Sequence, residues 1–186
     1  ELIITARSRD KLSKVLDNLE NKSNHMLIVS DFQSDQSIKE MCDRIIKDFK
    51  KIDIIMHIAG GGLGVKGAVP IYDDYMKVLN LNLLSILEIN RQLIPLMMKN
   101  KRSSIFHVGS IASNEAIGAL TYNIAKVGLV AYVRSLSKEL KGTGIIVNGI
   151  SPGAFYCEGN AMDRLKKRNP EVYNEFIQNK IPSNSM

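Results

Sequence analysis

Tyr122-Asn123-Ile124-Ala125-Lys126 is the segment best equipped for chemistry. Six tyrosines stand in the chain, and only Tyr122 has a lysine four residues later. On a helix that spacing puts both side chains on one face. An ammonium beside a phenol favours the phenolate, and such a phenol exchanges protons with an alcohol or a carbonyl. The plainer alternative is an ordinary surface pair, since one match of this kind arises by chance. The surroundings favour chemistry. Upstream, Ile105-Phe106-His107-Val108-Gly109-Ser110 reads as a strand ending in a small residue and a serine. Downstream, a strand over 145–150 runs into Ser151-Pro152-Gly153, and earlier a strand over 52–58 runs into Ala59-Gly60.

These residues need a scaffold that gathers strand ends. Apolar runs at 2–5, 26–29, 52–58, 105–108 and 145–150 read as strands. Amphipathic runs at 10–21, 35–49, 73–98 and 122–140 read as helices; in the first, Leu12, Val15, Leu16 and Leu19 recur at spacings of three and four. Strands apolar on both faces, alternating with helices, predict a parallel sheet covered on both sides. The expected class is α/β, a doubly wound parallel sheet in a single Rossmann-like domain. Ligands of such sheets bind beyond the carboxyl ends of the strands.

Composition bounds the function classes. The chain of 186 residues is 45% hydrophobic and 24% charged, which excludes a disordered, collagen-like or disulfide-stapled protein. The net charge of +6 is dispersed, and its densest cluster, Arg164-Leu165-Lys166-Lys167-Arg168, lacks interleaved aromatics. A solvated helix face, or a site meeting an anionic substrate, fits better than a nucleic-acid partner. Cys42 and Cys157 make neither a CxxC pair nor metal-ligand spacing, so no metal is expected. Cys42 reads as a small core residue, and a reducing cytoplasm is the default. No apolar run reaches the length of a membrane span. The chain opens on Glu1 with a strand already under way, which reads as the middle of a longer domain.

Gly62-Leu63-Gly64-Val65-Lys66-Gly67 matches GxGxxG after a strand. That fingerprint works only where the last glycine opens a helix. Here Ala68-Val69-Pro70 follows, so a glycine loop over substrate or cofactor is the better reading.

With the motifs in this order, the chain resembles a short-chain dehydrogenase/reductase over essentially its whole length, from that fold's second strand to its substrate loop. The resemblance implies an oxidoreductase that moves a hydride between a nicotinamide cofactor and a carbonyl or secondary alcohol. It implies a catalytic set of Asn82, Ser110, Tyr122 and Lys126. Asn82 would anchor a water that links the lysine to solvent, and Asn80 is then a local helix residue. Ser110 would bond the substrate oxygen, with Ser113 a minor rival. Tyr122 would be the general acid/base, and Lys126 would hold the nicotinamide ribose and favour the phenolate. Asp31 and Phe32 resemble the adenine contacts, Asp35 being the better placed helix cap. Ala59 and Gly60 resemble the small pair beside the adenine ribose. Pro152, Gly153, Phe155 and Cys157 resemble the loop around the nicotinamide. NAD-preferring members carry an acid at the end of the second strand. Here Ala6 stands there, followed by Arg7 and Ser8, so NADP is expected, with NAD as the alternative.

Several positions depart from the family pattern. His57-Ile58-Ala59-Gly60 replaces Asn-Asn-Ala-Gly, and His57 can stand in for the first Asn only with hydrogen bonds of its own. Cys157 replaces a threonine, with a weaker donor. The family's first strand, its Gly-rich pyrophosphate turn and its final strand are not in this sequence. Residues 1–186 are thus expected to be part of a nucleotide-binding domain, with 158–186 a substrate lid. The resemblance further implies a homodimer or homotetramer, with Ala125, Gly128, Leu129, Ala131 and Tyr132 offering surface to a copy. A dehydrogenase-like scaffold without catalysis is the rival function.

Overall fold

The computed structural model describes residues 1–181, 183 and 185. The expected lid therefore lies outside the described residues at Pro182, Asn184 and Met186. The chain divides into two compact units, Glu1–Ile150 and Ser151–Met186.

In the first unit, strands β1 (Ile3–Ala6), β2 (Met26–Val29), β3 (Ile54–His57), β4 (Ser103–Val108) and β5 (Ile145–Ile150) alternate with helices. The helices are α1 (Arg9–Asp17), α2 (Asp35–Asp48), α3 (Tyr72–Leu79), α4 (Ser85–Met97) and α5 (Leu120–Glu139). Every pairing is parallel: β1 with β2, β3 with β4, and β4 with β5. The α/β class and the parallel strands are as the alternation predicts.

Side-chain oxygens set where helices begin. Ser8 accepts a bond from the Lys11 amide and opens α1. Ser34, not Asp35, caps α2 by accepting from the Ser37 amide, and Asp35 is the first helical residue. A hydroxyl in extended backbone reaches the orphan amides that a residue already in the helix cannot.

Two apolar clusters hold the layers. Ile28 of β2, Ile38, Met41, Cys42 and Ile45 of α2, and Ile89 and Leu93 of α4 form one, with Ile3 and Ile55 packed on it. Ile105, Ile145, Val147, Met97 and Leu140 form the other, against Val133 and Leu136 of α5. Each fully buried Ile or Leu contributes about 1.5–3 kcal/mol. Cys42 is wholly buried, and burial pushes its thiol up to about 12, which suits an inert core residue.

Four features depart from the sequence expectation. The strands form two sheets, β1-β2 and β3-β4-β5, and β1 and β3 are not bonded to each other. Helices α4 and α5 pack on the same face of β3-β4-β5. Ile54, Met56, Ile146 and Ile150 on the opposite face are therefore exposed, so the sheet is not covered on both sides among the described residues. The run 73–98 is not one regular helix, because a π-helical turn, Asn80–Leu84, joins α3 to α4. The α5 residues expected to meet a copy mostly turn inward. Ala125 and Leu129 are buried, Gly128 lies against Leu83, and Tyr132 bonds Asn90. Only Ala131 is exposed, beside Leu120, Ile124 and Val127.

In the second unit, α6 (Ala161–Arg168) and α7 (Pro170–Lys180) follow a turn. Asn160 and Asn169 cap them, and Pro170 stands at the first position of α7. Asp163, almost fully buried, accepts from the Tyr156 hydroxyl at 2.7 Å, the Gly159 amide at 2.9 Å and Lys167 Nζ at 2.9 Å. Lys167 first, then the other two donors, hold its carboxyl down at about 2. Lys166 lies 5.1 Å from the Tyr156 ring centre. Much of the basic cluster on α6 is thus spent on local fastening. Among the described residues no helix is long and apolar enough to cross a membrane.

Candidate active site

Lys126 sits on the second turn of α5 with only 3% of its surface exposed. Its Nζ donates to the Val108 carbonyl at the end of β4, at 3.0 Å. Burial lowers its pKa to about 8, because the buried ammonium loses hydration. Tyr122 is one turn earlier, and Lys126 Nζ lies 5.6 Å from its ring centre. The expected shared face is therefore formed.

Glycines make room for this pair. A Cβ on Gly60 would fall 2.8 Å from Asn82 Oδ1 and 3.4 Å from Lys126 Nζ. A Cβ on Gly118 would fall 3.0 Å from Cδ1 of Tyr122. Asn82 is fully buried in the π-helical turn. Its Oδ1 accepts from the Gly61 amide at 2.9 Å, and its Nδ2 donates to the carbonyls of Gly61 and Val78 at 2.9 and 2.8 Å. The widened turn projects one side chain onto the loop after β3. One amide proton fastens that loop and the other returns to the Val78 carbonyl of α3, so both are used, which the water-anchoring expectation did not foresee. π-Helical turns recur at functional sites for this kind of re-aiming.

Ser110 Oγ accepts from the Ala112 amide at 3.1 Å and opens a short 3₁₀ turn, Ile111–Ser113. Its own proton remains available. Ser113 donates its proton to the Ser110 carbonyl at 2.8 Å, which makes it the weaker rival. The same turn reaches Gly118 through Ala112, and so the Tyr122 ring. Asn82, Ser110, Tyr122 and Lys126 thus gather at the ends of β3 and β4.

The remaining expected residues lie at other strand ends. Arg7 is exposed after β1, and Ser8 Oγ accepts from the Lys11 amide as the cap of α1. Asp31 is exposed after β2, and its Oδ1 accepts from the Gln33 amide at 3.0 Å. Phe32 packs its ring on the core. Ala59 and Gly60 are exposed after β3. The 62–67 loop opens no helix, Leu63, Gly64 and Gly67 having positive φ. Pro152, Gly153, Phe155 and Cys157 belong to the second unit, where Phe155 and Cys157 are exposed. Among the described residues no three metal-ligating side chains converge.

A buried polar group beneath the pair was not anticipated. His57 Nε2 donates to Asn90 Oδ1 at 2.8 Å, and Asn90 Nδ2 donates to the Tyr132 hydroxyl at 3.1 Å. His107 stacks on His57, with ring centres 4.8 Å apart. The signal was present: a histidine in each of two apolar strands, three residues before the strand-end glycine or serine.

The short chain dehydrogenase family model matches residues 1–168. The chain belongs to the short-chain dehydrogenase/reductase family. It is 32% identical over 138 residues to a 2-dehydro-3-deoxy-L-rhamnonate dehydrogenase (NAD(+)) of Sphingomonas sp. (strain SKA58), covering 71% of this chain and 51% of that protein. It is 30% identical over 182 residues to a 3-oxoacyl-(acyl-carrier-protein) reductase of Rickettsia felis, covering 97% of this chain and 70% of that one. Among solved structures, the Pseudomonas aeruginosa RhlG/NADP active-site complex superposes with a TM-score of 0.82 at 25% identity, covering 95% of this chain and 70% of that chain. The short-chain dehydrogenase/reductase chain thus spans about half the length of the first relative.

Proposed function

We propose that the protein is an oxidoreductase acting between NADP(H) and a carbonyl or secondary alcohol, with Tyr122 as general acid/base. The observation that carries this reading is Lys126, a buried ammonium held on the Val108 carbonyl and beside the Tyr122 ring. The residues present fit a dinucleotide in part. Gly60 forms a bare surface against Asn82 and Lys126 that a Cβ would fill. Asp31, Phe32, Ala59 and Gly60 would hold the adenosine end, Arg7 a 2′-phosphate, and Lys126 the nicotinamide ribose. The family resemblance assigns the nicotinamide loop to Pro152, Gly153, Phe155 and Cys157.

When bound, the cofactor supplies or takes the hydride. In reduction, Ser110 donates a hydrogen bond to the carbonyl oxygen and orients it. Tyr122 gives its phenolic proton to that oxygen as negative charge develops there. Lys126 stabilises the phenolate left behind, and in alcohol oxidation the proton returns to Tyr122. Asn82 holds the Gly60-Gly61 backbone so that the lysine keeps its place.

The test is NADPH oxidation by the full-length protein over a panel of carbonyls. Tyr122→Phe should lose about 10²–10⁴-fold in kcat. Unchanged turnover in that variant sinks the mechanism, and nucleotide binding without turnover on any carbonyl favours a scaffold. A homo-oligomer, with the exposed Leu120, Ile124 and Val127 of α5 at its interface, is part of this reading, as is a lid over 158–186.

A further inference from the structure

We propose that His57, acting through Asn90 and Tyr132, is a positioning residue for the Lys126–Tyr122 pair. The functional meaning of this role rests on the reading above, but its geometry does not. Four side chains from four elements close a ring beneath the site: His57 of β3, His107 of β4, Asn90 of α4 and Tyr132 of α5. Two hydrogen bonds join His57 to Asn90 and Asn90 to Tyr132, at 2.8 and 3.1 Å. Two ring contacts close the circuit. His57 and His107 stack at 4.8 Å, and His107 meets the Tyr132 ring edge-on at 6.0 Å. The two histidines are direct partners in the β3–β4 register.

Three of the four members are coupled to the site by their own backbones. His57 stands three residues before Gly60, whose bare surface abuts Asn82 and Lys126. His107 precedes Val108, whose carbonyl holds Lys126 Nζ. Tyr132 follows Lys126 by six residues on α5, about 9 Å along the axis. The ring therefore fixes the height of α5 against the two strand ends that surround the lysine.

A polar ring suits this task better than apolar packing. Leucines at these places would tolerate sliding, whereas a donor–acceptor chain has one satisfied arrangement. The chain requires a proton on His57 Nε2, because Asn90 Oδ1 only accepts. Burial keeps both imidazoles neutral; His57 has the Asn90 amide on its edge, and His107 faces His57, the Tyr132 ring and Lys126. A slack ring lets α5 shift and water reach Lys126, which restores hydration to its ammonium.

The readout is the protonation of Lys126, followed by the Cε chemical shift in full-length protein labelled with ¹³C-lysine, with Lys126→Arg for assignment. The wild-type midpoint is expected near the depressed value of about 8. In Tyr132→Phe and His57→Leu it should rise by about half a pH unit or more, as hydration returns. His57→Gln, which can still donate to Asn90, should restore the wild-type midpoint. A purely structural role would lower melting temperatures and leave the midpoint in place. A midpoint unmoved in Tyr132→Phe, which keeps the ring in shape, overturns the proposal. So does a shift in His57→Gln as large as in His57→Leu. Absence of carbonyl turnover in the wild type would instead sink the reductase reading, and the lysine titration would still decide this one.

Discussion

Gly60 is where a single methyl group has the clearest effect. Its Cβ would stand 2.8 Å from Asn82 Oδ1, a buried atom already bonded to the Gly61 amide. Gly60→Ala is expected to lower kcat/KM by about tenfold or more, since a displacement near 1 Å costs that much in a positioned site. Steady-state kinetics beside a melting curve check it, and unchanged kinetics would show that the loop yields freely. Arg7 makes a different prediction. It is exposed at the end of β1, where a forked donor would suit the 2′-phosphate of the proposed NADP. Arg7→Ala should cut the preference for NADPH over NADH by about 10–100-fold, as expected for a charged hydrogen bond of about 1.5–3 kcal/mol. Equal KM ratios in both proteins would place the phosphate elsewhere. Tyr122 and Lys126 stand out in the sequence by type and spacing, and Ser110 takes its expected role from the family resemblance. The capping role of Ser8 was not legible there, because a cap is recognised only once the helix start is known.

At the scale of elements, the π-helical turn between α3 and α4 is the part no periodicity shows. Residues 73–98 read as one helix because their apolar spacing tolerates a single wide turn. That turn aims Asn82 at the loop after β3, where its amide makes two hydrogen bonds with Gly61 and a third back to the Val78 carbonyl of α3. Asn82→Ala would orphan a buried acceptor and the Gly61 backbone groups. It should destabilise the protein by about 1–3 kcal/mol and lower kcat with it. Asn82→Asp keeps the acceptor but turns a carboxylate oxygen toward the Gly61 and Val78 carbonyls, and should lose at least as much stability. Equal melting temperatures in all three proteins would show that water replaces the amide fully. The second unit carries its own fastening. Asp163 bonds Tyr156, Gly159 and Lys167 at once, so the basic cluster of α6 was only half read by charge counting.

The whole molecule should answer to pH through its buried bases. Burial lowers His57 to about 4 and His107 to about 3, both below the usual 6.5. Between those values the unfolded chain binds more protons than the folded one. Stability is therefore full above about pH 6.5 and falls as pH drops through the folded values. His107→Leu should flatten that acid slope, seen in urea midpoints from pH 7 to pH 4. Its ring nitrogens have no partner among the described residues, so the loss of polarity strands nothing. An unchanged slope would mean that the carboxylates set it. Lys126 acts at the other end. Its folded pKa of about 8 lies below the usual 10.5, so stability should rise as pH climbs between them. Lys126→Met should remove that alkaline rise.

Strand and helix alternation, the parallel class and the Tyr122–Lys126 pair were settled by sequence alone, because each depends on local period and on residues close in the chain. Tertiary structure decided what depends on distant segments meeting. It set which face of β3-β4-β5 is covered, which α5 residues turn inward, and where Asn82 points. It also brought His57, Asn90, His107 and Tyr132 together across up to 75 residues of chain. A hydrogen bond between residues 33 or 42 apart leaves no periodic trace, and only the packed elements bring its two ends within reach.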